Sequence, residues 1–254
     1  MRKDIDRIFN NKVSNYSFDN KVRIFLECDG KRVTSLREAV ELTLPSEDAE
    51  KEIRQIIALK ESEDYIAQSM RRLGAFGGLS NYADPFSSSY ADRDVHTLKK
   101  NLAELAQDYQ EDDGYTLFEE HSSMVNFHIF NEADRYIEDA SVELTIHGDF
   151  VFLVANKIYN KPRQSYLSMP NIPTWEESNY PRVVELNNEK CSVYSSIGQI
   201  RHNLESQMLD VPLRIHLPNG SCGKNLIVDF KVYGKNLPIP IGYSLKIEIL
   251  PVVD

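Results

Sequence analysis

The hydrophobic period of the chain changes near residue 120, and this change constrains the fold more than any motif does. From Val95 to Tyr109 the apolar residues recur every three to four positions, which is the period of an amphipathic helix. After residue 120 apolar and polar residues alternate, as in Val125, Phe127 and Ile129, which is the period of a strand with one buried face. The sequence therefore predicts helices in the first half and strands in the second.

The charge of the chain divides at nearly the same place. Residues 1–139 contain 18 Lys and Arg against 28 Asp and Glu, whereas residues 140–254 contain 11 of each. The overall net charge of −10 disfavours direct nucleic-acid binding, because that affinity begins with cations that neutralise phosphates. The acidity therefore belongs to the predicted helical region.

The sequence has no feature of a secreted or membrane protein. The charged N-terminus is not followed by an apolar run, and no stretch approaches the length of a membrane span. The three cysteines are odd in number and far apart, which suits neither a disulfide framework nor a zinc site. We therefore expect a soluble cytoplasmic protein.

Local signals define the elements of the first half. Asp29-Gly30 lies between alternating apolar residues, and this pair supplies the positive φ angles of a tight hairpin turn near residues 21–34. Ser46 is placed to cap a helix after Pro45, and a second helix, beginning near Asp92, is predicted to end within residues 110–114. The glycine- and serine-rich residues 74–89 are predicted to form a loop.

The second half contains eight short strand candidates with no long helix between them, which favours antiparallel pairing. We therefore predict an α+β chain with a mainly helical, acidic region at 1–118, including the hairpin, and an Ig-like antiparallel β-sandwich at 119–254 that folds alone. The candidates are 125–129, 142–146, 151–155, 183–186, 193–197, 211–217, 226–233 and 243–250.

The last two strand candidates lie in the part of the chain whose sequence is most recognisable. They flank the connection Lys235-Asn236-Leu237-Pro238-Ile239-Pro240, and Ile200-Arg201-His202-Asn203-Leu204 lies upstream. Together these segments resemble the C-terminal region of bacterial Schlafen-like AlbA-type proteins, which are often labelled helix-turn-helix DNA-binding proteins. The resemblance covers residues 95–254 and implies an acidic helix followed by an Ig-like sandwich.

Two departures limit what the resemblance implies. Family members usually carry an Asn-x-Gly-x-x-Pro-Ala turn between the first two sandwich strands, where this chain has the unrelated residues 131–136. The AlbA-type domain thought to handle nucleic acid has no counterpart here. The DNA-binding label and the family's functional residues are therefore not carried over.

Motifs for catalysis or metal binding are missing from the sequence. There is no His-x-x-x-His or Cys-x-x-Cys pair, no EF-hand loop, no Walker-type loop and no Gly-x-Ser-x-Gly elbow. Cys222 has His216 nearby in sequence, but no third group to orient the histidine. We expect no cofactor and no metal, and a metal-dependent hydrolase or nuclease with an unrecognised carboxylate site is the alternative hypothesis.

The sequence favours a non-catalytic protein-interaction or accessory module of a bacterial, nucleic-acid- or defence-related system. Its concentrated acidity costs self-repulsion, which is explained if a protein partner with a basic surface is attracted to it, although solubility alone is a competing explanation. Trp175 is the other candidate, because aromatic residues anchor interfaces, unless it plugs the edge of the sandwich. The predicted acidic contact residues are Glu104, Asp108, Glu111 and Asp112.

Overall fold

The computed structural model describes residues 21–62, 90–161 and 173–252, so the predicted loop at 74–89 lies outside the described residues. The described residues form two compact units. One, the two-sheet unit, contains residues 21–41, 121–158 and 173–252, and the other, the helical unit, contains residues 42–62, 90–120 and 159–161.

The described secondary structure is mixed, with more strands than helices. The helices are α1 (Pro45–Glu61), α2 (Val95–Asp108), α3 (Gln110–Tyr115) and α4 (Trp175–Asn179). The strands are β1 (Val22–Cys28), β2 (Lys31–Val33), β3 (Ser35–Arg37), β4 (Ser123–Asn131), β5 (Ile137–Gly148), β6 (Leu153–Val154), β7 (Arg182–Asn187), β8 (Lys190–Ile200), β9 (Glu205–Gln207), β10 (Leu213–His216), β11 (Asn225–Tyr233) and β12 (Ile241–Leu250).

Two six-stranded sheets form the two-sheet unit. The first has the order β2-β1-β4-β10-β6, with β9 also paired to β4, and the second has the order β3-β12-β11-β5-β8-β7. Every pairing is antiparallel except that of β3 with β12. The predicted mixed class and the eight predicted strands are confirmed, while β3 and β9 were not predicted.

Both sheets contribute to one hydrophobic core. Phe127 of the first sheet and Phe230 of the second meet edge to face, with ring centroids 5.0 Å apart. The other core side chains come from alternate positions of the strands, because every second residue of a strand points to the same face. The inward residues of β11 show this pattern and are fully buried: Leu226, Val228, Phe230 and Val232.

The hairpin is formed as predicted, but it belongs to the two-sheet unit. Asp29 and Gly30 have φ angles of 51° and 75°, as the tight turn requires. Strand β1 pairs with β4 along its whole length, and β3 pairs with β12. A domain boundary at residue 118 is therefore wrong for the residues around the hairpin, because a two-stranded hairpin cannot bury its own apolar face.

The helical unit contains α1, α2 and α3 and has a small core of its own. Four buried side chains of α1 and α2 form it: Ala49, Ile53, Leu98 and Leu105. Asp94 caps α2, because its carboxylate accepts a hydrogen bond from the Thr97 backbone N–H at 2.9 Å.

Two predicted helix ends need correction. Leu44, not Ser46, is the N-cap of α1, and the Ser46 N–H donates instead to the Asp113 carboxylate at 2.9 Å. The acidic stretch at 110–114 does not end the helical region, because α3 begins there after α2 ends at Asp108. The composition of residues 110–114 favours a turn, but the hydrogen bond from the Ser46 N–H of α1 to Asp113 favours the helix that forms there.

The helical unit is inserted between β3 and β4 of the two-sheet unit. The two points of insertion lie close together, because the Ala39 N–H donates to the Leu217 carbonyl at 2.7 Å and His216 Nδ1 lies 2.9 Å from the His121 carbonyl. His216 and Leu217 are consecutive. Insertions between neighbouring surface points leave the host fold intact.

No helix in the described ranges is long and apolar enough to cross a membrane.

Candidate protein-interaction site

The predicted acidic contact residues all lie in the helical unit. Glu104 and Asp108 are exposed on α2, and the Glu104 carboxylate lies 3.9 Å from the Lys100 ammonium. Glu111 is exposed on the first turn of α3, whereas Asp112 is half-buried. Burial, and then the charges of its acidic neighbours, raise the pKa of Asp112. Glu104, Asp108 and Glu111, with Asp112 partly exposed, form what we call the acidic face.

Trp175 belongs to the two-sheet unit, so the structure does not group it with the acidic residues. It begins the short helix α4 and is 63% exposed, which contradicts the expectation that it plugs a sheet edge. Thr174 caps this helix, and the Glu177 carboxylate accepts the Thr174 N–H at 2.6 Å. The exposed indole is therefore held on an ordered turn.

The histidine contacts do not assemble a metal site. His128 lies between two carboxylates, with Nε2 3.1 Å from Glu27 and Nδ1 2.9 Å from Glu205. The Nε2 contact is close but lacks the alignment of a hydrogen bond. The carboxylates contact opposite edges of the ring, so they do not converge on one ion. In the described part of the chain, no three His, Cys, Asp or Glu side chains are grouped to hold a metal.

A serine, a histidine and an aspartate also meet on the outer face of the second sheet. Burial favours a higher pKa for Asp229, but hydrogen bonds with Ser244 and His147 outweigh burial and lower the pKa. The His147 Nε2 to Asp229 distance is 3.0 Å. Because the aspartate lies between the other two groups, the histidine is not positioned to remove a proton from the serine.

None of the described contacts of the three cysteines is with a histidine base. Cys191 is buried in the core, and burial, followed by the Glu185 charge, raises the pKa of its thiol to about 12. Cys222 is exposed, and its backbone N–H donates to Glu38 at 3.0 Å. His216 is buried, and its Nδ1 lies 2.9 Å from the His121 carbonyl.

A cavity of about 410 Å³ opens between the two sheets beside β12, and we call it the β12 slot. Its apolar walls come from the inward faces of β1 and β12, and its charged lining residues are Arg32 and Lys246. The Arg32 guanidinium lies 4.3 Å from the centre of the Phe25 ring and also pairs with Glu205. The complete lining is Ile24, Phe25, Leu26, Arg32, Val33, Thr34, Leu245, Lys246 and Ile247.

One edge of β12 is open along the slot. On its other side β12 pairs with β11 from Ile241 to Glu248 without a register shift. On the slot side it pairs with β3 only from Glu248 to Leu250. Within the described ranges, the segment from Ile241 to Ile247 therefore has no strand on this side.

The hydrogen bonds of Ile249 and Leu250 show which backbone groups face the open edge. The Ile249 N–H and carbonyl bond to Lys224 and Gly223, at the β11 side. The Leu250 carbonyl accepts from Glu38 at 3.0 Å, on the opposite side. Because backbone direction alternates along a strand, the N–H and C=O groups of Gly242, Ser244 and Lys246 face the open edge.

The slot also leaves inward side chains partly uncovered. Alternation predicts that Tyr243, Leu245, Ile247 and Ile249 share the buried face of β12. Ile247 and Ile249 are buried, but Tyr243 and Leu245 are only half-buried. Among the residues that the structure describes, this part of β12 therefore lacks a neighbouring strand, and its apolar face is only partly covered.

The strand at the other edge of the second sheet, β7, is less suited to pairing with an added strand. Strand β7 is interrupted by a register shift between Glu185 and Asn187, and Arg182 and Glu185 are exposed on it. Bulges and charged side chains are the usual protection of an edge against added strands. The open segment of β12 also carries one charged side chain, Lys246, but it has a regular register and an apolar cavity beside it, so it is the better receptor for an extended chain.

Sequence reasoning predicted β12 as a strand but did not predict that its edge is open. The outward face of β12 carries the small residues Gly242 and Ser244, but small outward residues do not show whether an edge is paired. An edge is defined by which strands pair, and that depends on contacts distant in sequence. The alternating pattern alone carries no information about strand order.

Comparisons with known proteins do not assign a family. No protein-family model and no curated protein matches the sequence. AvmM, described as catalysing macrocyclization in alchivemycin A biosynthesis, is 6% identical, with a TM-score of 0.25, over 51% of this chain and 80% of its own.

A second solved structure, ACE19, is the collagen-binding subdomain of the Enterococcus faecalis surface protein ACE. It is 8% identical, with a TM-score of 0.24, over 49% of this chain and 87% of its own. Similarities this remote carry no argument about the present chain. The resemblance to Schlafen-like AlbA-type proteins stays a prediction.

Proposed function

We propose that this protein is a non-catalytic protein-interaction module that binds an extended segment of a partner protein as an additional strand on β12. The supporting observation is the open edge at Gly242, Ser244 and Lys246, which lies directly beside the β12 slot. Strand addition uses the main chain for affinity and pockets for alternate side chains for specificity. Both requirements have a physical counterpart at this edge.

The energetics favour an extended ligand over a compact one. Each main-chain hydrogen bond contributes about 0.5–1.5 kcal/mol net, so several in register are needed for useful affinity. The inward side chains of an added strand would enter the slot and cover Leu245, which is half-buried in the free protein. Burial of apolar surface adds roughly 25 cal/mol for each Å² removed from water.

We also propose that the two-sheet unit is an Ig-like sandwich that serves as the scaffold of an accessory module. Its two sheets, antiparallel except for the β3–β12 pair, share one core, and the chain crosses from the first sheet to the second between β2 and β3. Such a scaffold holds the edge of β12 rigid, which reduces the entropy lost when a ligand binds.

A pair of substitutions at Gly242 tests the proposal. The Gly242 N–H faces away from β11, so Gly242→Pro removes an edge donor without removing a hydrogen bond to β11. A Cβ at this position has no heavy atom within 4 Å, so Gly242→Ala is a matched control that keeps the N–H. Random decapeptides displayed on phage would be selected on the wild-type protein.

We expect selected peptides to lose about tenfold or more in affinity for Gly242→Pro and to change less than about twofold for Gly242→Ala, because only proline removes the donor and obstructs pairing. Circular dichroism and thermal melting would verify that both variants are folded. Selected peptides that bind Gly242→Pro as well as wild type, or failure to select any peptide sensitive to this substitution, would contradict the proposal.

A further inference from the structure

We infer that the segment bound at β12 is an alternating one, with an acidic side chain directly opposite Lys246 and apolar side chains at the two adjacent positions. This inference rests on the proposed strand addition and specifies the partner's chemistry. It is derived from the register of β12, the lining of the slot and the charges at its rim.

The charge at the slot is opposite to that of the protein as a whole. The chain has 39 acidic and 29 basic residues, yet both charged lining residues of the slot are cations. Arg32 is already engaged by Glu205 and by the Phe25 ring. Lys246 is exposed and has no ion-pair partner among the residues that the structure describes.

The position of Lys246 in the strand determines where its partner must lie. Its backbone groups face the open edge, so a strand added there places one residue directly opposite it. Side chains of directly opposed residues project from the same face, with Cβ atoms roughly 4.5–5.5 Å apart. A carboxylate at that position reaches the Lys246 ammonium on the outer, solvent-accessible face.

The residues on either side of that carboxylate project inward. They enter the slot, where the walls include Ile24, Leu26 and Ile247. An uncompensated charge on these walls would be costly, whereas apolar side chains gain from burial. Three consecutive residues of the predicted ligand are therefore apolar, acidic and apolar. This order is the same whether the ligand adds in the parallel or the antiparallel direction.

A charge exchange tests this inference on the intact protein. The decapeptides selected on the wild-type protein would be sequenced. Their affinities for the wild-type protein and for Lys246→Glu would then be measured by fluorescence anisotropy. Lys51→Glu is the matched control, because Lys51 is an exposed lysine of the helical unit and its substitution changes the net charge equally.

We expect acidic residues to be enriched between two apolar positions, and affinity to fall by roughly twofold to thirtyfold for Lys246→Glu as an attractive cross-strand pair becomes repulsive. Replacing the peptide's acidic residue with lysine should restore binding to Lys246→Glu and weaken binding to wild type. Lys51→Glu should bind like wild type.

The outcomes separate the two proposals. Peptides that are sensitive to Gly242→Pro but lack an acidic residue, or bind Lys246→Glu unchanged, would overturn the charge inference and leave strand addition supported. Insensitivity to Gly242→Pro would overturn both. Concentration-dependent dimers of the free protein that disappear in Gly242→Pro would show that the occupant is a second copy, which also overturns the inference.

Discussion

The two units differ in what their sequences reveal about a binding surface: the two-sheet unit through the burial of its inward residues, and the helical unit through its charge. In the two-sheet unit the inward positions of β4, β5 and β11 are buried, whereas on β12 Tyr243 and Leu245 are only partly buried, and Leu245 lines the slot. The helical unit buries four core side chains but carries 14 acidic and 6 basic residues in 42–62 and 90–120. Inward side chains that are only partly buried therefore point to one strand edge, that of β12, whereas the excess of acidic residues points only to the helical unit as a whole.

The largest predicted effect concerns which segments complete the two-sheet unit. A fragment of residues 119–254 lacks β1 and β3, and with them the buried side chains of Val22, Ile24, Leu26 and Leu36. Each contributes about 1.5–3 kcal/mol, so the loss is comparable with the roughly 5–15 kcal/mol stability of a whole domain. We expect this fragment to be unfolded by circular dichroism and NMR.

The complementary deletion should retain the fold. A protein in which a short Gly-Ser linker replaces residues 42–120 keeps all twelve strands, and its joined ends lie beside His216 and Leu217. Dispersed amide resonances and cooperative melting are expected. Folding of the 119–254 fragment, or failure of the linker protein, would contradict the assignment of the hairpin to the two-sheet unit.

Core substitutions compare the stability of the two units directly. Phe127→Ala should destabilise the two-sheet unit by about 3–5 kcal/mol, and Leu98→Ala should destabilise the helical unit by about 2–5 kcal/mol, because both side chains are fully buried. Denaturant titration monitored at residues of each unit would measure this. The control Leu59→Ala, at a 63% exposed position, should change stability by less than about 0.5 kcal/mol.

The acidic face remains a proposed surface for a partner with a basic surface. Charge reversal should abolish the salt-sensitive association of a decalysine probe with this face, with little change in melting temperature. Stopped-flow rates at several ionic strengths would measure it. The four reversals are Glu104→Lys, Asp108→Lys, Glu111→Lys and Asp112→Lys, and the control set in the two-sheet unit is Asp134→Lys, Asp149→Lys, Glu176→Lys and Glu189→Lys.

Equal salt dependence for the two sets of reversals would show that the probe senses only net charge. Solubility would then explain the acidity without a partner.

A smaller effect is expected from the pH dependence of His216. Burial lowers the pKa of this side chain in the folded protein, although donation of Nδ1–H to the His121 carbonyl partly opposes the shift. The unfolded state therefore binds the proton more readily, so the contribution to stability is complete above about pH 6.5 and decreases as the pH falls below that value.

Thermal melting between pH 7.5 and 5 would detect this loss, and His216→Gln should show a shallower decline. An unchanged slope in His216→Gln would assign the acid sensitivity to other groups.

The fold was predictable to the extent that it depends on local periodicity. The alternation in residues 125–129 and 226–233 identified β4 and β11 correctly, and Asp29-Gly30 identified the hairpin turn. Strand order was not predictable, because the pairing of β1 with β4 joins residues about 100 positions apart. The sequence therefore assigned the hairpin to the wrong region.

The candidate site was only partly predictable for the same reason. Charge counting located the acidic residues, and aromatic content identified Trp175, which is exposed. The open edge depends on β3 pairing with only the last residues of β12. Nothing in the local sequence of β12 distinguishes a strand with two neighbours from a strand with one.

Amide hydrogen exchange of the free protein tests the open edge of β12 most directly. Because backbone direction alternates, the amides of Gly242, Ser244 and Lys246 should exchange rapidly, whereas those of Tyr243, Leu245 and Ile247 should be protected by β11. A selected peptide should then protect the first set. Equal protection of both sets in the free protein would show that the edge is already paired and would contradict strand addition.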